Sequence, residues 1–114
     1  MKAKLKISIT DGAGEPFMGV GLVWLLTRVE RFGSIRVAAR DMGMSYVKAL
    51  RILNTLERKL GRKIVVRRRG GMQRGGTELT PFAKEFIDRF ARYLDKVNRY
   101  AQREFMKLFG RRQL

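Results

Sequence analysis

Apolar positions recur at helical spacing between Gly33 and Leu60, and Gly43 divides them into two blocks. Ser34 and Ser45 precede the two blocks as N-cap candidates, because a serine hydroxyl accepts a hydrogen bond from a free N–H of the first turn. In the second block one helix face holds Ala49, Leu53, Leu56 and Leu60. The pattern predicts a short helix up to Met42, a glycine turn and a longer helix closed by Gly61, which together form a helix-turn-helix. Corners of this kind also occur in helical proteins that bind no nucleic acid.

The residues before this motif predict a hairpin and a first helix. Lys4 to Thr10 alternates apolar and polar residues and predicts a strand, Asp11 to Gly14 predicts a turn, and Phe17 to Val20 can return as a second strand. A loose arm is the alternative for this region. Gly21 to Phe32 predicts a helix whose core stripe is Leu22, Leu25, Leu26 and Val29.

A second hairpin is predicted directly after the helix-turn-helix. Lys63 to Arg68 is rich in β-branched residues, residues 69–76 form a loop of glycines and arginines, and Thr77 to Thr80 predicts a returning strand. A hairpin in this position is a wing, and arginines there are suited to the phosphate backbone or the minor groove. A solvated basic loop without a ligand is the alternative interpretation.

The last predicted helix is capped by Thr80, has Pro81 at its first position and continues to Phe109. Its apolar residues repeat at alternating spacings of four and three, which is typical of a coiled-coil seam. The helix would be about 40 Å long, more than a three-helix core covers. We therefore expect a homodimer, with an interface formed by Phe86, Ile87, Phe90, Leu94, Val97, Ala101 and Phe105.

Charge narrows the possible partners. The chain has 114 residues, 26 Lys and Arg against 10 Asp and Glu, and a formal net charge of +16. Such an excess favours an anionic partner: nucleic acid first and an anionic membrane surface second. No apolar run could span a bilayer, and the N-terminus does not read as a signal peptide. We expect a cytoplasmic, nucleoid-associated protein without a membrane partner.

The chain lacks cysteine and histidine, and no glycine-rich loop has the lysine spacing of a P-loop. We therefore expect neither an enzyme nor a cofactor or metal site. The predicted fold class is mainly α with a small β component (α+β), a winged helix-turn-helix with an N-terminal β-hairpin and a long C-terminal dimerisation helix. Residues 1–80 would form the DNA-binding domain and residues 81–114 the dimerisation helix.

The GSIRVAARDMGMSY run, the paired glycines of the wing and the LTP opening of the last helix carry a family resemblance. The chain resembles the N-terminal winged helix-turn-helix of ModE-type molybdate-responsive regulators and, more distantly, the DNA-binding domain of LysR-type regulators. The resemblance implies transcription control by a dimer on a near-palindromic site. ModE regulators carry C-terminal molybdate-binding domains, whereas this sequence stops before one, so we expect a stand-alone regulator in which molybdate sensing is not implied.

The DNA-binding candidates divide into residues that read bases and residues that hold phosphates. Arg51 is the best base reader, because its planar fork can bind guanine O6 and N7 together. Lys48, Tyr46 and Val47 share the open side of the same helix, and Ser34, Arg36 and Ser45 lie at helix N-termini that favour phosphate. The wing set is Arg67, Arg68, Arg69 and Arg74.

The sequence favours a sequence-specific regulator of double-stranded DNA. An architectural, chromatin-type DNA-binding protein with little sequence preference is the alternative, and the ratio of specific to non-specific affinity separates the two. An RNA-binding module ranks lower, because no aromatic-studded sheet or GXXG loop is present. The operator, the signal, the direction of regulation and any separate sensor or effector protein stay open.

Overall fold

The computed structural model describes residues 1–68 and 76–110. Two small antiparallel hairpins flank three short helices, and a long helix follows. In chain order the elements are β1 (Ile9–Thr10), β2 (Pro16–Met18), α1 (Val20–Phe32), α2 (Ile35–Asp41), α3 (Tyr46–Leu60), β3 (Val65–Arg67), β4 (Thr77–Leu79) and α4 (Pro81–Phe109). The predicted α+β class and the winged helix-turn-helix are confirmed.

Local capping chemistry sets the helix ends. The hydroxyls of Ser34, Ser45 and Thr80 accept hydrogen bonds from the N–H groups of Val37, Lys48 and Ala83, each at 3.1 Å. Gly33, Gly43 and Gly61 follow α1, α2 and α3 with φ of 66°, 71° and 66°. Because this left-handed backbone is strained for residues with a Cβ, glycine is the residue that the tight corner of the motif requires.

One apolar core joins all four helices. The predicted stripe of α1 is buried, and Ala49, Leu53 and Leu56 of α3 are inaccessible to solvent. Ile64 and Leu79 seal the core beneath the wing, while Met18 seals it beneath the N-terminal hairpin. Ala83 and Phe90 are buried too, so the first half of α4 belongs to the same core.

The N-terminal strand is shorter than the alternation predicted. Only Ile9 and Thr10 pair with β2, in register Ile9 to Met18 and Thr10 to Pro16, with an irregularity between the two pairs. The predicted strand residues from Lys4 to Ser8 have no strand partner in the described part of the chain. Just before these residues, the carbonyl oxygen of Ala3 accepts a hydrogen bond from the Gln102 Nε2 of α4 at 2.6 Å.

The long helix gives the molecule its shape. α4 has 29 residues and is about 43 Å long, and the principal extents are 61 × 31 × 25 Å. Acidic residues precede arginines by four positions along it, in the pairs Glu85–Arg89, Asp88–Arg92 and Asp95–Arg99. Such exposed pairs each support the helix by a few tenths of a kcal/mol, roughly. None of the helices in the described ranges is long and apolar enough to cross a bilayer.

Candidate nucleic-acid interface

The exposed side of α3 is a candidate for reading DNA. Opposite the buried Ala49, Leu53 and Leu56, residues at spacings of four, three and four point away from the core: Val47, Arg51, Asn54 and Arg58. Together with Leu50 and Thr55, the same four residues line one shallow groove on the helix surface. We call Val47, Arg51, Asn54 and Arg58 the reading face.

The reading face combines different chemistries for base recognition. Val47 is 64% exposed, which leaves its methyls available to a thymine methyl. Arg51 and Arg58 form no ion pair with any residue of the described chain. Their guanidinium groups are therefore available to guanine or to phosphate.

Sequence reasoning missed Asn54. Its carboxamide presents a donor and an acceptor, the pair that binds adenine N6 and N7 together. The signal was its spacing, because Asn54 follows Arg51 by three residues and Val47 by seven and so shares their side of the helix. Lys48 lies to one side of this face and borders the N-terminal hairpin, next to Ile52 and Thr55.

The residues predicted at the two helix N-termini are two capping serines and an arginine that contacts Tyr46. Ser34 and Ser45 use their hydroxyl oxygens as cap acceptors, which leaves each O–H free to donate to a phosphate oxygen. The Arg36 guanidinium carbon lies 4.2 Å from the centroid of the Tyr46 ring. This cation–π contact joins α2 to α3 and holds Arg36 beside the N-terminus of α3.

The wing is fixed to α3 and to the end of α1. The Glu57 Oε2 accepts hydrogen bonds from the N–H groups of Ile64 and Val65 at 2.9 and 3.4 Å. The Thr77 N–H donates to the carbonyl oxygen of Gly33 at 2.8 Å. Because these bonds join β3 and β4 to both neighbouring helices, the base of the wing has a defined position relative to α3.

Arg67 and Arg68 differ in their surroundings. Arg67 is exposed and forms no ion pair within the described ranges. The Arg68 side chain is 33% exposed, and its Nε lies 4.0 Å from the Glu78 carboxylate. The Arg68 guanidinium also packs over Gly33 and Gly76. A Cβ added at Gly33 would lie 3.1 Å from the guanidinium, and one added at Gly76 would lie 3.4 Å from it. The DNA contact predicted for Arg68 stays a prediction, and in this structure its side chain packs at the wing base. Arg69 and Arg74 lie outside the described residues.

An ion pair fastens the N-terminal hairpin to α3. The Lys59 Nζ lies 2.6 Å from the Asp11 Oδ2, and the Asp11 Oδ1 accepts from the N–H groups of Ala13 and Glu15 at 2.9 Å each. The hydrogen bond from Lys59, followed by the backbone hydrogen bonds, lowers the pKa of Asp11 from 3.8 to about 2. Lys59 therefore binds the N-terminal hairpin through Asp11 and does not line the groove of the reading face.

The predicted dimer residues on α4 differ in the surface they retain. Phe90 is 4% exposed and belongs to the core of its own chain, and its predicted place in an interface stays a prediction. Leu94 is half-buried and packs against the core. Tyr93 and Tyr100 are more than half exposed, one on each side of the half-buried Val97 along the helix. The six other predicted residues, which keep part of their surface, are Phe86, Ile87, Leu94, Val97, Ala101 and Phe105.

Comparison with known proteins agrees with this architecture. Residues 23–84 match the family model described as bacterial regulatory helix-turn-helix protein, lysR family. The crystal structure of a CbnR_DBD–DNA complex superposes with a TM-score of 0.58 and 24% identity, over 76% of this chain and 94% of that chain. At that identity the likeness establishes the fold alone.

Two curated relatives are similar to the N-terminal region. The molybdenum transport protein ModE of Azotobacter vinelandii is 38% identical over 63 residues, which is 55% of this chain and 23% of the relative. The molybdenum-pterin-binding protein MopB of Rhodobacter capsulatus is 37% identical over 70 residues, 61% of this chain and 26% of the relative. The chain thus spans about a quarter of the length of these relatives. Since the family model covers more than half of the sequence, the chain belongs to the LysR family of bacterial regulatory helix-turn-helix proteins.

Proposed function

We propose that this protein is a sequence-specific regulator of transcription that binds double-stranded DNA as a homodimer. The observation that carries the proposal is the reading face: one exposed side of α3 with an aliphatic residue, a carboxamide and two arginines free of acidic partners in the described chain. A major groove admits an α-helix and distinguishes all four base pairs by hydrogen bonds and methyl contacts. The residue types of this face correspond to those contacts.

Phosphate contacts would surround the reading face. Ser34 and Ser45 lie at the N-termini of α2 and α3, and Arg36 is held beside Tyr46 between them. Arg67 on β3 extends the positive surface onto the wing. These groups supply affinity without sequence information, since every phosphate offers the same oxygens. The net charge of +16 supports long-range attraction to DNA in addition.

The dimer would form through the second half of α4. This part extends beyond the core that covers Ala83 and Phe90, and it presents Tyr93, Val97 and Tyr100 on one side. Pairing with a second copy would cover these side chains with two-fold symmetry. It would also present two α3 helices to major-groove turns roughly 34 Å apart.

A chromatin-type protein with little sequence preference is the competing function, and the large positive charge favours it. Phosphate binding needs only positive and hydrogen-bonding side chains, however, and gives no role to the exposed methyls of Val47 beside Arg51. The reading face therefore favours the specific regulator. We place it in the cytoplasm with the nucleoid, with no cofactor of its own, and with a separate sensor or effector protein as a further possible partner.

Selection from a random duplex pool tests this function. The intact protein is incubated with the pool at about 0.15 M salt, and the bound duplexes are recovered and sequenced over several rounds. A regulator of this kind enriches a motif with two-fold symmetry whose halves are separated by one helical turn. If no motif is enriched among the bound duplexes, the result would support the chromatin-type function and contradict the sequence-specific regulator.

A further inference from the structure

An apolar groove lies between the N-terminal hairpin and α3. Its volume is about 460 Å³. The walls come from β2, the start of α1, the turn between α2 and α3, and α3 itself, and the largest apolar side chains among them are Phe17, Met18, Leu22, Met42, Met44 and Ile52. Lys48 and Arg51 border the same groove.

The proposed contacts with DNA do not explain this groove. Phosphates bind to positive or hydrogen-bonding groups, and the apolar walls of the groove contain neither. Three of the wall residues are methionines, whose flexible thioethers adapt to ligands of varied shape. A volume in this range is typical of small-molecule sites, which are mostly apolar with a few polar groups that fix orientation.

We propose that this groove binds a small amphipathic carboxylate. The hydrocarbon part, roughly eight carbons long, would lie against Phe17, Met42 and Met44, which keep part of their surface in the groove. The carboxylate would be held by Lys48 and Arg51, which have no acidic partner among the described residues. Charge-assisted hydrogen bonds to these two cations would favour a carboxylate over an uncharged head group.

Occupation of the groove would change DNA binding, a consequence that rests on the proposed function. Arg51 belongs to the reading face and Lys48 stands beside it, so a carboxylate between them would neutralise the groups that approach DNA. The carboxylate and the DNA would then compete, and each would weaken the binding of the other by the same factor.

Titration calorimetry of the intact chain in the absence of DNA tests the site. The ligands are octanoate, 1-octanol as the uncharged analogue and acetate as a carboxylate without a tail. We expect octanoate to bind at least about ten times more tightly than octanol, and acetate not to bind measurably. Equal binding of octanol and octanoate, or of acetate and octanoate, would overturn the proposal, as would the absence of octanoate binding at millimolar concentration.

Gly21 offers a variant that fills the groove. It lies in α1 on the groove wall, and a Cβ added there would meet no atom within 4 Å. Gly21→Leu should therefore fold with a thermal midpoint no lower than that of the native chain, because leucine favours the helix over glycine. It should lose octanoate affinity at least about tenfold, because its side chain occupies the space of the tail. Gly21→Ala is the matched control and should retain most of the affinity. Full octanoate binding by a folded Gly21→Leu variant would place the ligand elsewhere.

A DNA titration separates the two parts of the inference. Saturating octanoate should raise the apparent Kd of the native chain for its selected duplex several-fold, and it should have no effect on Gly21→Leu. If octanoate binds in the groove and the DNA affinity stays constant, the competition is wrong. If the native chain prefers no duplex, the proposed function fails, while the calorimetric comparison still decides whether the groove is a carboxylate site.

Discussion

Arg51 and Asn54 lie three residues apart on the reading face, and their side chains make different base contacts. A guanidinium fork fits guanine, and a carboxamide fits adenine. Their separation along α3 is about 4.5 Å, comparable with the spacing of adjacent base pairs. We therefore expect the two residues to determine the preference at two neighbouring positions of a half-site.

Substitution of Asn54 tests this assignment. Asn54→Ala should cost about 1–3 kcal/mol on the selected duplex and relax the preference at a single base position, different from the one that Arg51→Ala relaxes. The control is Asn98→Ala, because Asn98 has the same carboxamide at an exposed position of α4, outside the reading face and the predicted seam. Binding of all single-base variants of the duplex is measured for each protein. A uniform loss of affinity in Asn54→Ala, with the base preference intact, would exclude Asn54 as a reader.

Asp11 gives the fold a defined dependence on pH. Its pKa is about 2 in the folded chain against an ordinary value of 3.8, so its ion pair with Lys59 stabilises the fold fully above about pH 4. This contribution is lost progressively as the pH falls from about 4 to 1. Asp11→Asn keeps an acceptor for the turn and removes the charge. The thermal midpoint of the variant should lie below that of the native chain at pH 7, and the difference should shrink with falling pH and vanish near pH 1. A difference that is the same at both pH values would show that the charge of Asp11 is irrelevant to stability.

Short-range chemistry was predictable from the sequence residue by residue. Ser34, Ser45 and Thr80 cap the helices as expected, because a cap depends on the three or four residues that follow it. The role of Arg68 was not predictable, since it depends on Gly33, which is far away in the sequence and is brought near by the wing. The same holds for Asp11, whose partner Lys59 lies 48 residues further along the chain.

At the level of elements, the wing is a hairpin whose base has a fixed position. Glu57 of α3 accepts hydrogen bonds from the backbone of β3, and Gly33 after α1 accepts one from Thr77 of β4. The two arginines near the end of β3 therefore have different surroundings, because Arg68 packs at the base of the wing while Arg67 is exposed.

Single substitutions distinguish the roles of these two arginines. Arg67→Ala should leave the free energy of unfolding within about 0.5 kcal/mol and reduce the slope of log K against log salt by about 1. Arg68→Ala should lower the free energy of unfolding by about 1 kcal/mol, because it removes packing as well as a partly exposed ion pair. Urea unfolding and salt-dependent DNA titrations give the two quantities. The reverse pattern would assign the phosphate contact to Arg68.

The N-terminal strand shows where sequence periodicity is insufficient. Leu5, Ile7 and Ile9 alternate with polar residues, yet a strand also needs a partner of matching length, and β2 has only three residues. The chain before Ile9 therefore follows other contacts, among them the bond from Gln102 to the carbonyl oxygen of Ala3. The four helices were predictable because each buries a stripe of apolar residues that repeats at the helical period of about 3.6 residues.

For the whole molecule, α4 connects the DNA-binding core to the proposed dimer. The radius of gyration of 17.5 Å exceeds the value of about 13 Å that a compact domain of this size would have. The excess comes from the second half of α4, which extends beyond the core and leaves Tyr93 and Tyr100 more than half exposed.

Charge placed at the open side of α4 should separate the dimer. Val97→Asp combined with Tyr100→Asp puts two carboxylates into the proposed interface, whereas Leu94 is avoided because it supports the core. The control is Ala91→Asp, at an exposed position outside the predicted seam. Sedimentation should show a dimer for the native chain and the control and a folded monomer for the double variant. A native chain that sediments as a monomer at high micromolar concentration contradicts the proposed interface.

The affinity ratio between the selected duplex and a shuffled duplex of equal length and composition tests the account most directly. Both duplexes are titrated with the intact chain at about 0.15 M salt. If the reading face distinguishes bases, the ratio should exceed about a thousand for the native chain and fall at least about tenfold in Arg51→Ala. A ratio near one, unchanged by Arg51→Ala, would mean that α3 reads no bases and that the protein binds DNA through its charge alone.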